Sequence, residues 1–404
     1  MSALMSINLG RKCVRGKNDG NDRLSSLPDA LLHHVMSFLP MAEVVRTSIL
    51  SARWRNLWAS TPFIHIDRQE LLNEIEWTEE DTEDMHESFV DHLLLLRDGT
   101  VSLDEARILI SRDDRGKSSA WIRYAIKHNA RLLHVYGAHR RVQLDGIAIC
   151  PSQYLKRIRL ESVYLVHGFF TPLNYNFPML EHLELERCVI ACTKAEISSR
   201  SLKVLHMTHC FHIYSLLICA TNLTHISIID PWCNSDPVVT RDLASLVTAS
   251  IALSGCHIHN SVEKIVDHRL LDGLSHATKL ELHAPSPELA FERGLQTCPT
   301  LSNLTSLVLG DWCMAADLYP LFYILHRSPK LKELCFKLKM EQCRICKKAG
   351  SASLPARNTQ PVRGYPCIER IKIYCSKDDP RVGTLVQALL PIFIPDGKIS
   401  IDDR

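Results

Sequence analysis

The sequence predicts an α/β chain in which three short N-terminal helices precede a curved solenoid of stacked strand-and-return repeats, closed by a strand-helix-strand unit. Three observations carry this. A tryptophan-bearing apolar stretch lies between residues 23 and 67, and an apolar-x-x-apolar-x-apolar pattern recurs from Leu103 onward. The block from residue 367 reads strand, Asp-Pro turn, helix, strand. With 404 residues, 46% of them hydrophobic, the chain can bury a sizeable core in more than one unit.

The front stretch is RLSSLPDALLHHVMSFLPMAEVVRTSILSARWRNLWASTPFIHID. Ser26 is the expected N-cap of a first helix, Pro28 sits in its first turn where a missing N–H costs little, and Pro40 forbids continuation. That bounds the helix from about Pro28 to Leu39, with Leu31, Leu32, Val35, Phe38 and Leu39 at helical spacing. A second helix is expected over Met41 to Ser48, carrying Val44 and Val45. The third begins after Ser51, places Trp54, Leu57 and Trp58 at i, i+3 and i+4, and stops before Pro62. So short a piece is too small to stabilise one core, yet it displays many large apolar groups. The surplus implies a partner, because exposed apolar patches mark interaction sites. A helical cap on the next domain is the alternative.

The runs LSSLPDALLHHVMSFLP and VVRTSILSARWRNLW closely resemble the F-box of plant F-box proteins. In that family the three helices dock onto the Skp-type adaptor of a cullin-RING ubiquitin ligase. The resemblance places Leu27, Pro28, Leu31, Leu32, Val35, Leu39, Val44, Val45, Ser48, Leu50, Trp54, Leu57 and Trp58 in or behind the adaptor interface. Sequence does not separate core from contact among them.

Net charge is +2, which points to neither nucleic acid nor an anionic membrane as a general partner. No run of 18 apolar residues occurs and the N-terminal stretch has no signal-like apolar segment, so the chain reads as soluble and not secreted. Its 15 cysteines form no compact framework and read as reduced thiols in the nucleus or cytoplasm. Residues 1–22 read as a disordered basic tail, 23–67 as the F-box, and 68–99 as an acidic linker entering a helix that ends near Gly99.

From residue 100 to 366 the repeat pattern dominates. Its starts, from Leu103 through Leu180, Leu202 and Leu223 to Leu331 and Ile368, lie 21 to 37 residues apart. Most fall near the ~20 to 29 of leucine-rich repeats. The clearest copy is LEHLELERCVI, in which Leu180, Leu183, Leu185, Cys188 and Ile190 fill L-x-x-L-x-L-x-x-C-x-L. Each copy is a strand with period-2 apolar residues inward, then a turn and a helical or irregular return; none buries its face alone, so the copies must stack. Residues alternating with the core positions should line the concave side. Among them Arg157, Arg159, His182, Glu184, His206, His225, Lys279 and Glu281 are candidate target contacts, a mixed-sign surface suited to a protein.

The last block, 367–404, resembles the closing unit of many plant F-box/leucine-rich-repeat proteins and should cap the array and hide its last edge. Cys343-Arg-Ile-Cys346, in a Lys-rich insert over 339–364, is a CxxC without a second pair, so a free-thiol loop is favoured over zinc. His206, His209, Cys210 and His212 crowd one strand, but alternation sends His206 and Cys210 to opposite faces. No G-x-S-x-G, phosphate-binding glycine loop or H-E-x-x-H is present.

Together the resemblance implies a non-catalytic substrate-recognition subunit of a Skp-cullin-F-box (SCF) ubiquitin ligase. Its partners would be a Skp-type adaptor, through it a cullin-RING ligase, and a protein target; no cofactor, metal, nucleic acid or membrane is expected. The alternative is an F-box scaffold that delivers nothing for degradation.

Overall fold

The computed structural model describes residues 23–67, 79–110, 117–138, 142–144, 150–166, 169–233, 238–253, 269–283, 298–312, 319–338, 368–376, 379, 381–390 and 393–403. The basic tail 1–22, residues 68–78 of the acidic linker and the whole Lys-rich insert 339–364 with its Cys343/Cys346 pair lie outside them. The chain forms two compact units, Met1–Val163 and Tyr164–Arg404.

In the first unit, helix α1 spans Asp29–Met36 and α2 spans Met41–Arg46, continued by a 3-10 turn over Thr47–Ile49. The third helix, Trp54–Ser60, is 3-10 rather than α. Seven residues ahead of Pro62 suffice for this tighter winding, which sets Trp54 and Leu57 on one side at i, i+3. Two further expectations are corrected. Ser26 does not cap α1: its hydroxyl donates to the Arg23 carbonyl at 2.6 Å, and Pro28 itself occupies the cap position with extended ψ. The helix also ends at Met36, where Phe38 and Leu39 tighten into i→i−3 bonds to Val35 and Met36.

Strand β1 (Phe63–Ile66), helix α3 (Glu79–Leu96), strand β2 (Glu105–Ile110), helix α4 (Lys117–Lys127) and strand β3 (Leu132–Gly137) follow. The short β4 (Val142–Gln143) and then β5 (Arg157–Glu161) complete the unit. β1, β2, β3 and β5 pair in parallel and in register, so that Ile64, Ala106, Leu133 and Ile158 form one buried lateral row. The front helices have no core independent of this unit. Leu32, Met36, Met41, Val44, Trp54, Leu57 and Trp58 cluster with Phe63 of β1 and Leu93 of α3. That completion by later elements is the physical answer to their small size.

The second unit carries β6 (Val163–Leu165, from Tyr164), helix α5 (Phe170–Asn176) and the strands β7 (His182–Glu186), β8 (Val189–Ile190) and β9 (Ala195–Ile197). Next are β10 (Val204–Thr208), β11 (Phe211–His212), β12 (Leu216–Ile218), β13 (His225–Ile229), β14 (Trp232–Cys233), β15 (Val238–Thr240) and β16 (Thr248–Ala252). Then come β17 (Lys279–His283), β18 (Ser306–Trp312), α6 (Tyr319–His326), β19 (Glu333–Leu338), β20 (Ile368–Cys375), α7 (Arg381–Leu389) and β21 (Phe393–Asp403). The main parallel sheet runs β7-β10-β13-β16-β17-β18-β19-β20-β21, with Leu183, Leu205, Ile226, Ala249, Leu280, Leu307, Leu334 and Ile371 as its central buried row.

Repeat length decides the return path. The copies starting at Leu180, Leu202 and Leu223 are 22, 21 and 23 residues long, too short for a helix, and they return through two further parallel ladders, β6-β8-β11-β14 and β9-β12-β15. The 27-residue steps that begin at Leu103 and Leu304 hold α4 and α6. Each short repeat turns its corner through a residue at positive φ one position after the strand: Arg187, His209 and Asp230, at 51°, 51° and 45°. His209 is therefore a corner residue, not part of a ligand set.

The closing unit adds a strand instead of hiding an edge, because β21 is itself the last strand of the order. The Asp-Pro turn works as a cap. Asp379 Oδ1 accepts the Arg381 backbone N–H at 3.0 Å and its carboxylate is held by the Arg381 guanidinium, Nε to Oδ1 at 2.8 Å. The Arg381 side chain keeps the Asp379 carboxyl below its ordinary range, against the opposing effect of burial. A depressed folded-state value means stability present above the unfolded value and lost as pH falls through the folded one. Asp379→Asn should therefore melt below wild type at pH 7, and the two melting curves should converge as pH falls through the depressed folded-state value.

Candidate adaptor interface and candidate target face

On the front helices two stripes separate. Leu32 and Met36 point into the core with no exposure, whereas Leu31, Val35 and Phe38, at i, i+4 and i+7, stay 50%, 43% and 74% exposed. The turn after α2 adds Ile49 and Leu50, 64% and 60% exposed. Pro28 is exposed, and Leu27, Leu39, Val45 and Ser48 are half-buried. Of the thirteen residues singled out by resemblance, Leu32, Val44, Trp54, Leu57 and Trp58 lie behind the surface, in the core. Phe38 and Ile49 were not on that list although both are available to a partner. Phe38 had the right spacing; nothing in the sequence marked Ile49.

The stripe is held rigidly. Arg53, from the turn before the third helix, donates to the Leu27 carbonyl at 2.5 Å and to Asp29 Oδ1 at 2.6 Å, and also to the Ser25 carbonyl. Trp54 Nε1 donates to Ser25 Oγ at 3.0 Å, and the His33 ring meets the Leu57 carbonyl and Ser60 Oγ, both at 3.2 Å. These bonds fix the start of α1 against the third helix. An ordered, solvent-facing apolar stripe of this kind can bury itself only against another surface.

Within each unit the polar faces of the strands follow the alternation expected. Arg157 and Arg159 project from β5 of the first unit, and Arg159 lies 3.8 Å from Glu161. In the second unit His182, Glu184, His206, His225, Lys279 and Glu281 are all exposed or half-buried, each beside at least one buried residue of its strand. Their middle lateral row is Glu184, His206, Ser227, Ser250, Glu281, Val308, Cys335, Lys372 and Ser400. His206 is exposed while Cys210 is buried, so the two do not share a site. Among the described residues no group of three His, Cys, Asp or Glu side chains is placed to hold a metal ion. The eight described cysteines with an assigned state are free thiols, and burial pushes that of Cys298 up to about 11.

One network spans this face. Glu281 Oε1 accepts from Lys337 Nζ and from the His283 ring, each at 2.8 Å. Lys337 reaches Glu281 from two strands away, across β18, which offers only Val308 and Gly310 there. Burial opposes ionisation of Glu281, but bonds from Lys337 and His283 outweigh it and hold the carboxyl below its ordinary range. A Cβ on Gly310 would overlap the His283 ring. Gly310→Ala should therefore displace His283 and cost about 1 to 2 kcal/mol, the scale of one charge-assisted bond. Urea unfolding of Gly310→Ala, His283→Ala and the double variant checks it, since the double variant should be no worse than either single one.

With this geometry in view, comparison with known proteins is specific. A family model described as F-box domain matches residues 24–66. The chain is 27% identical over 366 residues to the MEIOTIC F-BOX protein MOF of Oryza sativa subsp. japonica, covering 84% of this chain and 74% of that one. It is 26% identical to an F-box/FBD/LRR-repeat protein of Arabidopsis thaliana over 80% of this chain and 78% of the relative. A putative F-box/LRR-repeat protein of Arabidopsis thaliana matches at 27% over the same shares. The front helices are thus an F-box, set ahead of a long array of parallel strands. Over about four fifths of its length the chain is similar to plant F-box/leucine-rich-repeat proteins. An F-box implies binding to a Skp-type adaptor within an SCF complex.

Proposed function

We propose that this protein is the substrate-recognition subunit of an SCF ubiquitin ligase, working in the nucleus or cytoplasm. The F-box grips the Skp-type adaptor, and through it a cullin-RING ligase. The strand array of the second unit, read as a leucine-rich-repeat solenoid, holds a protein target on its polar face through residues such as Glu184, His206, Lys279 and Glu281. Tethering raises the effective concentration of target lysines near the charged E2, so the chain supplies position and not bond chemistry. The observation that carries this reading is the exposed, rigidly held stripe of Leu31, Val35, Phe38, Ile49 and Leu50 within residues matched by the F-box model.

The deciding experiment is co-purification of the full chain with a Skp-type adaptor and a cullin, followed by comparison of bound-protein levels before and after depletion of the chain in cells. Co-purification with partners that accumulate on depletion supports the reading. Co-purification with stable partner levels supports a non-degradative F-box scaffold, and failure of a folded chain to bring down the adaptor overturns both.

A further inference from the structure

The polar face of the second unit is divided by charge along the strand order. At one end β7 presents Glu184 and Glu186, the latter 3.2 Å from Arg187 at the corner beyond the strand. At the other, β20 and β21 present Arg370, Lys372 and Lys398, against which the face sets Glu333, bonded to Arg370, and Asp402. Between the ends, β10, β13 and β16 place no formally charged side chain on this face, and β18 places only Ser306, Val308 and Gly310 before its bulge. Ser227, Ser250 and Ala252 are small enough to let another backbone lie close to the sheet. In the middle β17 adds the exposed Lys279, and its Glu281 is already bonded by Lys337 and His283.

We propose that the segment of target held on this face is an extended, two-ended one, basic where it lies over β7 and acidic where it lies over β20 and β21. The inference rests on the reading that the face holds a target, and it names what kind. β7 and β20 are seven strand steps apart. At about 4.8 Å per step, that is about 34 Å. An extended chain rises about 3.3 Å per residue, so about ten residues separate the basic from the acidic block. Opposite charges at the two ends also fix the direction in which the segment lies, because the reversed placement sets like charges together at both ends.

The test uses the full chain co-purified with its adaptor, so that adaptor capture is read separately from target recognition. A fluorescent peptide with two arginines, ten Gly/Ser residues and two glutamates is compared by anisotropy, at low ionic strength, with a control of identical composition whose charges are interleaved. The blocked peptide should bind at least about fivefold more tightly than the control. Lys372→Glu/Lys398→Glu should remove that preference, as should Glu184→Lys/Glu186→Lys. Combining all four changes should restore it, since the face is then inverted and the peptide can turn round. Equal binding of the two peptides, or a preference that survives either charge reversal, overturns the proposal while leaving the adaptor reading untouched. Because the combined variant must recover binding, a variant that merely misfolds cannot imitate the expected result.

Discussion

Replacing Leu31 and Phe38 together by lysine removes capture of a Skp-type adaptor without loosening the fold. Both side chains are at least half exposed, so the folded chain gives up almost no buried area when they change. In a complex they would be central apolar anchors, and such anchors cost about 2 kcal/mol or more each on truncation. Two of them amount to about a thousandfold in affinity at 1.4 kcal/mol per tenfold, and a buried unpaired ammonium adds to that. Leu32→Ala is the complementary control. Leu32 is fully buried in the cluster with Trp54 and Trp58, so its truncation should cost about 2 to 5 kcal/mol of stability. It should reduce capture only as far as it reduces the folded fraction. Surface plasmon resonance on the adaptor together with thermal melting separates the two cases. Undiminished capture by the double lysine variant would place the adaptor contact elsewhere and sink the interface assigned to this stripe.

Arg97→Met should unstitch the F-box from the strands that complete it. Arg97 is only 5% exposed. Its Nη2 donates to the Thr61 carbonyl at 2.6 Å, and Nη1 donates to the Val101 carbonyl at 3.0 Å. Thr61 ends the third F-box helix, and its hydroxyl donates back to the Trp58 carbonyl at 2.9 Å. Around this point Asp98 N–H donates to Ala59 O at 2.9 Å and Asp104 N–H to Pro62 O at 2.7 Å. Methionine fills much of the same volume but leaves the Thr61 and Val101 carbonyls without their donor. Orphaned buried acceptors that had bonded a charged donor imply a loss of about 2 to 4 kcal/mol. Hydrogen exchange should show faster opening across residues 54–66 than in the second unit. Uniform loss of protection over the whole chain would mean that Arg97 holds more than this junction.

Much of the architecture was legible because it rests on periodicity. The spacing of Leu180, Leu183 and Leu185 recurs along the array, its last two positions alternating as a strand does, and the structure buries all three and leaves His182, Glu184 and Glu186 half-buried. The F-box was legible for the same reason together with its proline boundaries. Less legible was the kind of helix. Trp54, Leu57 and Trp58 at i, i+3 and i+4 suit an α-helix and a 3-10 helix nearly equally, and the difference lies in the backbone bonds. The N-cap assignment failed because the Ser26 hydroxyl donates to the Arg23 carbonyl and accepts from no N–H group of α1. For the candidate adaptor site, thirteen residues could be gathered but not sorted, since apolar character is identical on the two sides of a thin helical layer.

By itself, then, the sequence determined which residues alternate, where the helices break, and that the front apolar stretch could not stand alone. Tertiary structure decided which apolar residues face inward: α3 and β1 supply Leu93 and Phe63 on one side of the layer, leaving Leu31, Val35 and Phe38 on the other. It also decided that Lys337 answers Glu281 across β18, a pairing 56 residues apart in the chain, and that the His283 ring lies over Gly310. The physical reason is range. Hydrophobic period and backbone restriction act over a few neighbouring residues and are written locally, whereas burial and charge pairing depend on which distant element arrives alongside.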